Sequence, residues 1–125
     1  MSQSVQPRTG VAFTVSVAAS FLTELASGFD NPEDFLFLCL DEAASSLFSD
    51  FFMKTVTRSA SGVSFRLIVV DDLLFTHPEL EPQMRTELVR CFFKNINADE
   101  RVNGVFEGRE SVSRCTTEDV FSFFP

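Results

Sequence analysis

Two adjacent carboxylates close an apolar run, Val69-Val70-Asp71-Asp72, and the only histidine of the chain, His77, follows shortly after. Paired carboxylates at a strand end can hold Mg²⁺, and a nearby imidazole can carry protons. Asp71, Asp72 and His77 therefore define one reading, a small metal-dependent hydrolase. Mg²⁺ sites recruit further ligands or substrate phosphates, however, and none stands at a suitable spacing. His77 with Cys91 or Cys115 would form a nucleophile pair. No third group is placed to orient the imidazole, and Pro78 gives His77 a simpler position at a helix start. The simpler reading of Asp71 and Asp72 is a solvated strand end.

The run Phe65 to Asp72 resembles the first strand of a two-component receiver domain. That resemblance implies a second strand ending in a phosphoacceptor Asp and a later strand ending in Lys. The later aspartates, Asp99 and Asp119, follow no hydrophobic strand, and Lys94 lies inside an expected helix, so the receiver reading is rejected. Gly104 and Gly108 lack the Lys of a P-loop and a preceding strand, and no HExxH, GxSxG or EF-hand spacing occurs. These motifs point away from an enzyme, and no catalytic residue, cofactor or metal ligand is assigned.

Three cysteines, Cys39, Cys91 and Cys115, are widely separated. An odd count without a CxxC spacing argues against a disulfide framework or a zinc site, and suggests a reducing compartment, cytoplasmic or nuclear. Cys39 and Cys91 read as small core residues. The net charge of −8, with only two Lys and dispersed Arg, opposes binding to nucleic acid and favours basic partners. An acidic mimic of nucleic acid that binds a basic protein is a further alternative. Against it, Glu33, Asp34, Glu79, Glu81, Glu118 and Asp119 all fall in expected first turns, where the helix dipole favours carboxylates. No uncharged run reaches membrane-spanning length, so no membrane partner is expected.

The elements that would position these groups follow from periodicity. Residues 1–10 read as a flexible N-terminal arm, and 11–125 as a single globular domain. Residues 9–23 are uncharged and follow Arg8, a pattern shared with signal-peptide cores, but period-two alternation from Val11 to Ala18 explains them as a strand. Ser20 stands where it would cap a short helix through Ala26. Asn31-Pro32-Glu33-Asp34 begins a helix expected to reach Lys54. Residues 55–62 read as a polar connector and 62–70 as a strand. Thr76-His77-Pro78-Glu79 opens a second long helix, with Leu80, Met84, Leu88, Cys91 and Phe92 on its buried side. A hairpin is expected near residues 103–107, and Thr116-Thr117-Glu118-Asp119 resembles a further helix start. The class is α+β: two long helices packed on a small antiparallel sheet, which pairing across a dimer would extend.

The aromatic set carries the functional reading. The chain has 16 Phe, no Trp and no Tyr. Five rings of the expected 32–54 helix, Phe35, Phe37, Phe48, Phe51 and Phe52, exceed what one side of a small core takes up. Phe121, Phe123 and Phe124 form an aromatic tail. These eight residues are the expected interaction surface of a non-enzymatic protein-protein interaction module (an adaptor, inhibitor, immunity or accessory protein). Its partner is a protein, with a second copy in a homodimer as the first choice.

Overall fold

Val11, Phe13, Val15 and Val17 alternate with smaller or polar residues, and this alternation forms the centre of the molecule. The computed structural model describes residues 8–102, 113–117 and 121–123. In chain order the elements are β1 (Arg8–Ala18), α1 (Ala19–Ala26), α2 (Pro32–Leu47), β2 (Phe51–Ser59), β3 (Gly62–Val69), α3 (Asp72–Thr76), a 3₁₀ turn (Pro78–Leu80), α4 (Glu81–Asn97), β4 (Ser113–Thr117) and β5 (Phe121–Phe123). The strands form an antiparallel sheet in the order β2-β3-β1-β4, with β5 paired to Arg8–Gly10 of β1. A helical segment between β1 and β2, and another between β3 and β4, complete a split βαβ arrangement.

The β1–β3 register places Val11 opposite Val69, Phe13 opposite Leu67, Val15 opposite Phe65 and Val17 opposite Val63. All eight residues are buried. They form one face of the sheet, and α1, α2 and α4 bring Phe21, Leu25, Leu36, Leu40, Leu88, Phe92 and Ile96 onto it in a single cluster. Each such side chain contributes about 1.5–3 kcal/mol on burial. The opposite face carries Thr14, Ser16, Ser64 and Arg66, and the Ser16 and Ser64 hydroxyls lie 3.0 Å apart across the strands.

Helix α2 starts as its residues require. The Asn31 side chain accepts a hydrogen bond from the Asp34 N–H at 3.3 Å, Pro32 occupies the first turn, and Glu33 and Asp34 sit at the positive end of the dipole. Helix α1 has no side-chain cap: Ala18 holds the cap position, and Ser20 lies inside the helix.

Several boundaries differ from the sequence expectation. Helix α2 stops at Leu47 rather than Lys54, because Phe48 adopts an extended backbone. Phe51 and Phe52 consequently belong to β2, and residues 55–59, expected as a connector, pair with β3. The second long helix begins at Glu81. Asp72–Thr76 forms a separate short helix, since a residue before proline is disfavoured in helical backbone and His77 leaves the helical region ahead of Pro78. Phe121–Phe123 is a strand rather than part of a helix. With β2 and β4 flanking the central pair, the chain itself supplies more strands than the two expected from residues 11–18 and 62–70. Arg8–Gly10, placed in the arm by composition, already belong to β1. The hairpin expected near 103–107 lies outside the described residues.

Ala60 and Ser61 link β2 to β3, and the closing pair is Ser59 with Gly62. Gly62 has φ +147°, and a Cβ there would stand 2.0 Å from the Val17 carbonyl oxygen. The loop is held against the start of α1 by the Ala19 N–H, which donates to the Ser61 carbonyl at 2.8 Å. Gly62→Ala should therefore destabilise the protein by about 1–3 kcal/mol, the range for a forced overpacking. Urea unfolding checks this, and an unchanged midpoint would contradict the close approach of β3 to β1.

Candidate functional site

Asp71, Asp72 and His77 fall together around α3, and local structure occupies two of them. One oxygen of Asp71 accepts from the N–H groups of Leu73 at 2.8 Å and Leu74 at 3.3 Å, so this carboxylate caps α3. Asp72 lies in the first turn of the same helix. The His77 N–H donates to the Leu73 carbonyl at 2.7 Å, and its Nδ1 lies 3.0 Å from the Thr76 hydroxyl. Asp71 is thus a cap rather than a solvated strand end. Among the described residues, no three His, Cys, Asp or Glu side chains gather as they would around a metal ion.

Cys39 is buried in α2, and burial, with smaller contributions from Glu42 and Asp99, pushes its thiol pKa up to about 12. Cys91 is half-buried, less shielded than its position on the expected buried side suggested. Cys115 pairs in β4 opposite Val15.

The rings expected on an interaction surface are distributed through the packing. Phe48 is 4% exposed, with its ring centroid 5.6 Å from that of Phe13. Phe37 stands edge-on to Phe65 at 6.1 Å, and Phe35 stacks on Phe29 at 4.2 Å. Phe35, Phe37 and Phe51 are each half-buried against the core. Phe52, at 41%, is the one exposed ring among the eleven Phe side chains described. Phe121 and Phe123 pair through their backbones with β1, and Phe124 lies outside the described residues. The surplus of Phe arises largely because β1, β3, α1, α2 and α4 meet as ring pairs, including Phe21 with Phe93 at 6.3 Å between α1 and α4.

Arg101 adds a feature that its sequence did not signal. Its guanidinium lies 3.9 Å above the Phe29 ring and is held along one edge by Asp99, with Nε and Nη2 bonds of 3.0 and 2.9 Å. The Arg101 side-chain bond, followed by a bond from its backbone N–H, holds the Asp99 carboxyl below its usual range. This wedge joins the α1–α2 loop to the segment after α4.

Among the described residues, three large hydrophobic side chains remain exposed: Leu38 at 61%, Leu73 at 52% and Phe52. Leu38 projects from the middle of α2, one turn from Asp34 and from Glu42. Charge is also segregated. The strands contain Arg8, Lys54, Arg58, Arg66 and Arg114 and no Asp or Glu, so all 18 acidic residues lie in helices, loops or residues outside the described segments. No helix among the described residues is long and apolar enough to cross a membrane. No protein-family model, curated protein or solved structure matches the chain.

Two outcomes follow. Asp71→Ala should cost about 0.5–2 kcal/mol of stability, as loss of a helix cap does, measurable as a lower urea midpoint. A variant as stable as the parent would remove the capping role. Cys39 should react with a thiol reagent only as fast as the protein unfolds, because thiolate is the reactive form and burial suppresses it. Complete labelling of Cys39 within seconds in native buffer would contradict its place in the core.

Proposed function

We propose that the chain is a non-enzymatic protein-protein interaction module. The observation that carries this reading is Leu38, 61% exposed in the middle of a helix whose neighbouring apolar residues turn inward. An exposed leucine keeps apolar surface in water at about 25 cal/mol per Å², and a partner surface would relieve that cost. Phe52 and Leu73 add two more such positions. The carboxylates flanking Leu38 suit a partner that is basic around an apolar contact. Asp71 and His77 support this reading over the hydrolase because both are engaged in shaping the ends of α3.

A second copy of the chain is the first partner to test, with the exposed Phe52 rather than the carboxylate-flanked Leu38 at or near the contact. Light scattering over a dilution series should return a dimer whose mass falls toward 14.0 kDa in Phe52→Asp. A 14.0 kDa particle at every concentration would exclude self-association and leave a different protein as the partner. In either case Leu38→Glu or Phe52→Asp should weaken the association at least tenfold, as loss of a central contact does. Associations that survive both substitutions unchanged would overturn the reading.

A further inference from the structure

Strand β2 ends the sheet order: β3 pairs with one side of it, and among the described residues no strand pairs with the other. Thr55, Thr57, Arg58 and Ser59 are exposed, and from Thr55 to Ser59 the register to β3 runs without interruption. A bulge between Met53 and Thr55 breaks the register earlier in the strand. An edge strand offers a row of backbone donors and acceptors spaced for one more strand, so the group it suits is an extended polypeptide.

Charge selects among extended polypeptides. β2 contains Lys54 and Arg58 and no acid, within a chain of net charge −8. A second β2 laid alongside would bring like charges together, which destabilises cross-strand pairing. A strand bearing carboxylates would meet opposite charge. Arg58 has capacity for this: its Nε donates to Glu33, and its two Nη groups make no further hydrogen bond among the described residues. We propose that the β2 edge over Thr55–Ser59 accepts an extended acidic segment of another protein as an added strand. This rests on the reading of the chain as an interaction module and names a second surface for it, apart from Leu38.

The test uses the full chain and a fluorescein-labelled nine-residue peptide of alternating Val and Glu, with an alternating Val and Lys peptide as control. Anisotropy reports binding, and amide hydrogen exchange reports its location. At saturation the acidic peptide should slow exchange of outward-facing amides within Thr55–Ser59 at least tenfold, and the Lys peptide should not. Arg58→Glu should weaken binding tenfold or more. Glu33→Gln, which frees Arg58 while leaving its charge, should not weaken it. Equal binding of both peptides, protection confined to other elements, or no binding at millimolar peptide would overturn the proposal. Leu38→Glu separates the two readings. Unchanged protection of β2 in that variant supports strand addition. Loss of it would place the contact on α2 and overturn strand addition, while leaving the interaction module standing.

Discussion

The antiparallel pairing of β1 with β3 is the constraint on which the other contacts depend. Its four apolar pairs all lie on one face, and a slip of a single residue would turn every one of them away from the helices and onto the other face. Because the register holds, Phe13 is presented to Phe48 and Phe65 to Phe37, and α2 has a platform. Helix α4 then packs beside α2, where the Asn95 side chain donates to the Cys39 carbonyl at 3.0 Å. The hydroxyl contact of Ser16 with Ser64 on the other face is compatible with the same register only.

How far the fold was legible in the sequence depended on whether a local signal had a competitor. Strand β1 and the start of α2 carried strong local signals, period-two alternation in one case and an Asn-Pro-acid start in the other, and both formed, β1 beginning at Arg8, three residues before the alternation. The end of α2 was misplaced because Leu47, Phe48, Phe51 and Phe52 keep helical spacing by coincidence. The turn at Ser49 and Asp50, and the β-branched Thr55-Val56-Thr57 beyond it, were weaker signals that tertiary pairing with β3 made decisive. Strand β2 is an edge strand with polar residues facing water, so its composition resembles that of a loop. Strands β4 and β5 owe their existence to β1, at the other end of the sequence, and nothing local announces them.

The candidate site was less legible than the fold. Burial reassigned most of the Phe surplus, because ring pairs between elements consume aromatic residues that a count treats as spare. Leu38, hidden in sequence within a helix that looks apolar nearly all round, is the position that three-dimensional packing leaves outside. The segregation of acids from strands has two ordinary sources. Carboxylates favour helix starts, and strands disfavour Asp and, less strongly, Glu. Its result is nevertheless specific, since every charged residue of β2 is basic.

The position of β1 in the sheet also sets the order in which the molecule can be assembled. β1 occupies a central place yet precedes every strand it pairs with, so each of its partners is made later. While α1, α2 and β2 are being added, its alternating apolar residues have no strand to pair with. β3 arrives already joined to β2 by a two-residue loop, so a three-stranded nucleus can close as soon as that hairpin forms. β4 must wait until α3 and α4 have been added as well. Pairings of such long sequence separation slow folding, and unpaired edges invite misassociation in the interval. On the ribosome, the pairings of β1 with β4 and then β5 are the last in the sheet to be made.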